Sequence, residues 1–347
     1  MKKARNKTPT KMGDIAKRAG VSVSTVSRAL AGSPLVARKS REEIVELARE
    51  SGYVINAAAR NLRLRRSEAI SVVFPLAHET GQPLTDPFFI EMLGHLANEI
   101  THRGYGLLLQ KILPPMDDWL PRLIASRRSD GIVVIGQSTE HAALKAAAAS
   151  YLPLVVWGGH VASQSYCTVG TDNIGGARLG VEHLIRLGRR RIVFFGDPSP
   201  PEIKLRHDGY VMALKKARVA LDAPHIVPTH LTSDAAFEAM RAFIGRGRPF
   251  DALFAGSDLI ATSAVRALIA AGVRVPEDVA VVGFDDISLA SQVQPALTTL
   301  RQDIRYGAKT LVDLVFRRMA GENAPSVTLP AELIVRESCG AANSRAR

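Results

Sequence analysis

Residues 14–30 read DIAKRAGVSVSTVSRAL, and with Met12 just before them they decide the architecture of the N-terminal region. Met12, Ile15, Ala16 and Ala19 recur at helical spacing, Gly20 interrupts the pattern, and Ser22 offers an N-cap for a second helix. In that second helix Val26 and Leu30, four apart, face the first helix. Val23, Ser24, Thr25, Ser27 and Arg28 are left pointing away. A third helix is expected over about 38–51, with Ile44, Val45, Leu47 and Ala48 as its apolar side and Gly52 as its stop. Three short helices around one small core make a helix-turn-helix unit. Its outer face of short side chains plus one Arg can come close to a major-groove floor, where Arg pairs with guanine and hydroxyls bond bases or phosphates. Ser22 itself reads equally well as a cap and nothing more.

Charge supports that face. Residues 1–66 hold 16 Lys and Arg against 5 Asp and Glu, a net of +11, whereas residues 67–347 hold 29 against 28, a net of +1. Nearly all of the excess positive charge therefore sits where it can meet a phosphate backbone and release counterions. A basic disordered tail would need low hydrophobicity throughout, and residues 12–53 do not have it. The chain shows no run approaching the roughly 18 apolar residues of a membrane span. The basic N-terminus leads into polar residues, so a secretory leader is not expected and the cytoplasm is. Cys167 and Cys339 stand far apart without a neighbouring Cys or His at ligand spacing, which argues for buried or incidental thiols and against a metal site.

The segment Asp14 to Leu30 closely resembles the head of the lactose repressor and purine repressor (LacI/GalR) family of transcriptional regulators. The resemblance implies that Val23 and Ser24 are the principal base-reading positions, with Arg28 a third, and that Thr25 and Ser27 mainly hold phosphates. One departure is that the family usually has Thr three residues before the equivalent of Asp14, where this chain has Lys11. Thr10 is expected to take over the capping and phosphate role. The next stretch, NAAARNLRLRRSE over 56–68, is Ala-rich but too short to be a stable isolated helix. It matches the family's hinge helix, which pairs with its dimer mate on DNA. By resemblance Ala59 contacts the minor groove and Leu62 is the wedge at a central base step, although Leu62 can also be read as a core leucine of a linker helix.

Past Glu68, short apolar runs alternate with helical patterns. AISVVF (69–74), YGLLLQ (105–110), GIVVIG (131–136), LPLVVW (152–157), RRIVFFG (190–196), DALFAG (251–256) and VAVVGF (279–284) read as strands. Helices are expected near 88–103, 139–149, 173–187, 206–217, 234–245, 258–271 and 303–319. Continuous apolar strands between helices indicate parallel sheets covered on both faces, and their number indicates two doubly wound subdomains. The predicted fold is thus α/β: an N-terminal all-α helix-turn-helix head followed by two parallel-sheet subdomains. VRVPEDVAVVGFDDI (273–287), PALTTLRQDIRYGA (295–308) and ELIVRES (332–338) resemble the family's sensor domain, which is of periplasmic-binding-protein type. The expected divisions are 10–56 for the head, 57–66 for the hinge, 67–340 for the sensor and 341–347 for a flexible tail. Three crossings between subdomains are expected near 163–168, 290–298 and 323–328.

A ligand in that architecture lies in the cleft at the carboxyl ends of strands from both halves. Asp285 ends the strand VAVVGF, and its family position marks it as an effector contact. Ser257 and Asp258 follow DALFAG; either can cap the helix that begins near Leu259, and for Asp258 capping and ligand contact stay open. By family position Asp172 is another cleft residue, Arg206 binds or orients the effector, and Phe88 and Phe89 form the aromatic wall, one of them belonging to the core. Pro200 and Glu202 stand where the purine-specific pattern has Arg and Thr, and Leu231 replaces an aromatic. A sugar is therefore expected rather than a purine, because carboxylates, Arg and an aromatic platform suit polyols. No GxSxG, P-loop or paired-His motif occurs, and the glycines of GTDNIGGARLG do not fit GxGxxG, so neither an enzyme nor a cofactor is expected. A free solute-binding protein shares the sensor fold but has no use for a basic head. The expectation is a repressor that binds double-stranded operator DNA as a homodimer, controlled by a small-molecule effector that releases or promotes binding. The C-terminal CGAANSRAR lacks the leucine heptads of a tetramer.

Overall fold

The head forms because its apolar positions close on one another. Helices α1 (Met12–Arg18), α2 (Val23–Leu30) and α3 (Arg38–Glu50) bury Ile15, Ala16, Val26, Ala29, Val36, Ile44 and Ala48 in one small core. Gly20 and Gly52 take positive φ, which lets the chain turn after α1 and α3. Val45, expected on the apolar side of α3, is 46% exposed instead: one residue past Ile44 it lies about 100° round the helix. The computed structural model describes residues 11–30, 32–53, 66–76, 81–112, 118–161, 164–219 and 226–341. It divides into two compact units, Met1–Arg66 and Ser67–Arg347.

The second unit contains two six-stranded sheets built to one plan. The first uses β1 (Ala69–Pro75), β2 (Gly106–Ile112), β3 (Gly131–Ile135), β4 (Leu154–Trp157), β5 (Cys167–Thr171) and, from far downstream, β11 (Val327–Leu329), in the order β11-β5-β4-β3-β1-β2. The second uses β6 (Ile192–Phe195), β7 (Ile226–Val227), β8 (Ala252–Ala255), β9 (Ala280–Asp285), β10 (Thr298–Arg301) and β12 (Glu332–Ile334), in the order β12-β10-β9-β8-β6-β7. Pairing is parallel throughout except for β10 with β12. Both orders are doubly wound, so a crevice opens at the carboxyl ends where the order reverses.

Helices α4 (Pro87–His102), α5 (Trp119–Ser126), α6 (His141–Ala148) and α11 (Ile304–Met319) serve the first sheet. Helices α7 (Asn173–Arg186), α8 (Pro201–Lys216), α9 (Ser233–Gly245) and α10 (Asp258–Ala270) serve the second. The glycines of GTDNIGGARLG have a packing role. A Cβ on Gly176 or Gly180 would press into Phe284, Leu300 or Phe254, so the two glycines bring α7 close to the second sheet. Helix α8 starts at Pro201, five residues before the expected start at Arg206, because a proline suits the first helical turn.

The chain crosses between sheets at residue 172, at 302–303 and at 330–331. The stretches where the sequence places these crossings hold instead the starts of β5 and β11 and the approach to β10. Those strands are short and bounded by polar residues, so they carry no long apolar run. Among the described residues no helix is long and apolar enough to cross a membrane.

Candidate functional site

In the head, Ser22 caps α2. Its Oγ accepts from the Thr25 main-chain N–H at 3.1 Å and lies 2.7 Å from Ser24 Oγ and 2.9 Å from Thr25 Oγ1. Val23, Ser24 and Arg28 are exposed on the outer side of α2, while Thr25 and Ser27 are half-buried at its flank. The N-cap of α1 is Lys11, whose side chain cannot accept; Asp14 Oδ2 reaches back to the Lys11 N–H at 2.9 Å and supplies half of a capping pair. Thr10, Ala59 and Leu62 lie outside the described residues, as do most of the hinge and all but the first residue of the tail.

In the larger unit a cleft opens between the two sheets, at their carboxyl ends. Pro75 ends β1 and Leu76 follows it, Gly136 and Ser138 follow β3, and Trp157 ends β4; opposite them stand Arg206 of α8, Ser257 after β8, Asp285 at the end of β9 and Gln302 after β10. Phe88 and Phe89, in the first turn of α4, complete one wall. Phe89 sets its edge against core Phe74 with centroids 5.0 Å apart, and Phe88 lies 6.2 Å from Trp157 and touches the cores of both halves.

Asp285 is the keystone of the opposite wall. It is 5% exposed and its φ is +128°, a backbone that a side-chain-bearing residue adopts only where its surroundings force it. Its Oδ1 accepts from Gln302 Nε2 at 2.7 Å and from an Arg206 guanidinium nitrogen at 3.4 Å. Arg206 also donates to Asn173 Oδ1 (2.8 Å) and the Gly256 carbonyl (2.5 Å), and its plane lies 3.9 Å from the Phe284 ring. Burial pushes the Asp285 carboxyl up to about 6; Arg206 and Gln302 pull it down, and the charge of Asp86 pushes it further up.

Phe88, Phe89, Arg206, Ser257 and Asp285 are thus brought together as expected positions on one cleft, and two other expected positions are not. Asp258 is fully buried behind the wall, where Oδ1 accepts from Thr299 Oγ1 at 2.6 Å and Oδ2 from the Ile287 N–H at 3.1 Å. Burial and its neighbour Asp285 hold its carboxyl well above the usual range, and with its hydrogen bonds it ties the segment after β9 to β10 rather than meeting solvent. Asp172 is exposed and caps α7, accepting from the Gly175 N–H at 2.8 Å. Its strand ends at a crossing, which aims the side chain at the helix and off the cleft lining. Ser257 both lines the cleft and caps α10. Gln82, Asp86, Trp157 and Gln302 also line the cleft, and the sequence pattern does not mark them as site residues. Gln302 sits directly after a strand, where site residues gather, but β10 is too short to mark itself in the sequence.

Hydrogen bonds from main-chain N–H groups to carboxylates join the halves across the cleft. Glu202 of α8 accepts from the Gln137 N–H at 3.1 Å, and Glu91 of α4 accepts from the Ser288 N–H at 2.8 Å.

Residues 11–56 match the model of bacterial regulatory proteins of the lacI family, and residues 181–339 match a periplasmic binding protein-like domain. The HTH-type transcriptional regulator CelR of Thermobifida fusca is 33% identical over 342 residues, which span 96% of this chain and 99% of that protein. The chain belongs to the LacI family. Among solved structures, the lac repressor dimer bound to operator and the anti-inducer ONPF aligns with a TM-score of 0.84 at 25% identity, over 96% of this chain and 99% of that one. A CelR–cellobiose complex aligns with a TM-score of 0.70 at 30% identity, over 95% and 99%. As a LacI-family member the chain is a DNA-binding transcriptional regulator, and its relatives are regulators, not enzymes.

Proposed function

We propose that this LacI-family regulator is a cytoplasmic, homodimeric repressor whose affinity for its operator is set by a sugar in the sensor cleft. The observation that carries the reading is the cleft itself: a buried carboxylate, Asp285, braced by Arg206 and Gln302 and facing the aromatic wall of Phe88, Phe89 and Trp157. A carboxylate accepts paired hydroxyls, and an aromatic face covers the apolar side of a sugar ring. The cellobiose complex of the CelR relative supports a sugar over a purine, and the operator-bound lac repressor dimer supports a dimer on DNA.

In this scheme residues 10–56 form the reading head and 57–66 the hinge, 67–340 the sensor and 341–347 the tail. Val23, Ser24 and Arg28 of each α2 read base edges in the major groove, and Thr10, Thr25 and Ser27 hold phosphates. Ala59 and Leu62 act in the minor groove, with Leu62 as a wedge at the centre of a near-palindromic site. The sugar changes the relation of the two sensor halves and, through the hinge, the spacing of the heads. A tenfold preference of the ligand for one state shifts the balance by about 1.4 kcal/mol.

The test is a thermal melt of the full chain against sugars and nucleobases, followed by operator selection from randomised DNA with and without the ligand found. A sugar is expected to raise the melting temperature and to change operator affinity, and D285A should abolish both responses while keeping basal DNA binding. Stabilisation by nucleobases alone would refute the sugar reading.

A further inference from the structure

The described lining of the sensor cleft is rich in hydrogen-bond acceptors and has no cation to spare. Three carboxylates, Asp86, Glu202 and Asp285, share it with one guanidinium, that of Arg206. Arg206 is committed inside the protein, to Asn173, the Gly256 carbonyl and Asp285, with its face on Phe284. Lys111 of β2 donates to the Gln82 main-chain oxygen at 3.0 Å and is not part of the lining.

Three helices begin beside the cleft, and a helix N-terminus is the other common way to hold an anion. Two of the starts are capped by an acceptor of the protein's own, and the third carries a carboxylate in its first turn. Asp86 caps α4, accepting from the Phe88 N–H at 3.0 Å. Ser257 caps α10, and Glu202 stands in the first turn of α8.

Among the described residues, one buried acceptor of this wall lacks a donor. Gln82 is 3% exposed; its Nε2 donates to Asp86 Oδ2 at 2.9 Å, and its Oε1 has no partner. Turning the amide over would set its oxygen against the Asp86 carboxylate, so Asp86 fixes the amide orientation and the carbonyl is left buried and unmet within the cleft wall. A buried acceptor left unmet is costly, and a ligand hydroxyl is a donor of the right size to meet it.

We propose that the effector is an uncharged, hydroxyl-rich molecule, that one of its hydroxyls donates to Gln82 Oε1, and that phosphorylated and acidic sugars are rejected. The proposal rests on the sugar reading above and narrows it. A phosphate or carboxylate entering this cleft would lose its hydration and find three carboxylates and no free guanidinium or ammonium among the described lining residues. Neutral hydroxyls carry no such penalty and match the surplus of acceptors.

The test is calorimetric titration of the full chain with neutral mono- and disaccharides, each beside its 6-phosphate and its uronate. A neutral sugar is expected to bind at least tenfold tighter than its charged counterparts. A phosphate or uronate that binds as tightly as its neutral parent overturns this proposal and leaves the sugar reading standing. Binding of no sugar of any charge overturns both. Gln82→Met removes the acceptor at nearly constant volume and should weaken the neutral sugar by about tenfold. A deoxy analogue lacking the contacted hydroxyl should bind the wild type and Q82M equally. Equal loss for the parent and every deoxy analogue would mean that Gln82 only shapes the wall, and an unchanged affinity for the parent would remove the contact altogether.

Discussion

Replacing Asp285 with Asn asks whether the sensor holds this carboxyl against its own charge. Burial raises it from the ordinary 3.8 to about 6, and the Arg206 guanidinium and Gln302 amide do not bring it back. Between roughly pH 4 and pH 6 the folded protein therefore keeps a proton that the unfolded chain has released. A folded value above the unfolded one contributes stability that is complete at low pH and lost as pH rises through about 6. A carboxyl titrating near 6 instead of 3.8 corresponds to ~3 kcal/mol. The Asn variant has no proton to lose, so its stability relative to wild type should climb by about 2 kcal/mol from pH 4 to pH 6.5, most of the full difference, and stay nearly level above. Asp258, raised by burial and by Asp285, is present in both proteins, and relief of its repulsion acts in the same direction. Trp119 and Trp157 are both buried in the sensor, so urea unfolding followed by tryptophan fluorescence at a series of pH values reports that unit. A stability difference that is flat with pH, or that shrinks as pH rises, would refute the reasoning. The second outcome is the behaviour of a carboxylate stabilised by its ion pair.

Gly209→Ala should lower the urea midpoint of the sensor, with a loss of about 1–3 kcal/mol. Its Cβ would stand 2.3 Å from the Ile174 carbonyl oxygen and force α7 from α8. Glu91→Ala frees the Ser288 N–H, removing a tie across the cleft, and should weaken effector binding about threefold to tenfold through faster dissociation. Stopped-flow measurement checks this, and an unchanged dissociation rate would show that the tie plays no part in closure. Arg28→Ala should cost about 1–3 kcal/mol of operator affinity and relax the preference at one base position. Binding-site selection with the variant tests it, and equal weakening for every sequence would reassign Arg28 to a phosphate.

Strands buried on both faces leave a plain trace, which is why GIVVI, LVVW and AVVGF are legible as β3, β4 and β9 from their residues alone. The strands IV, TTLR, VTL and ELI, at β7, β10, β11 and β12, are two to four residues long and owe their conformation to the neighbouring strand rather than to their own pattern. That shortness also moved the expected crossings, since each true crossing directly follows β5, β10 or β11. The rule that sites gather at strand carboxyl ends locates Asp285 and Ser257, yet it ranks Asp258 beside them, and only packing reveals that Asp258 faces inward to Thr299 and Ile287. Gln82 has no mark in the sequence. Its carbonyl matters because Asp86, four residues on, holds the amide nitrogen, and that pairing exists only once the loop is folded.

The first sheet is completed from the far end of the chain. Helix α11 supplies Ile304, Ala308, Leu311, Val312 and Val315 to its core, and β11 lines its outer edge. During synthesis β1 to β5 emerge long before either, and at roughly 5–20 residues per second they wait several seconds with an apolar flank uncovered. The second half, apart from its edge strand β12, has all its parts by the time β10 is made, so it can mature earlier although it begins later. A protease that clips the chain after β10 would strip the first half of its lid while leaving most of the second intact, and the regulator would lose its sense of the effector from the amino-terminal side of the cleft.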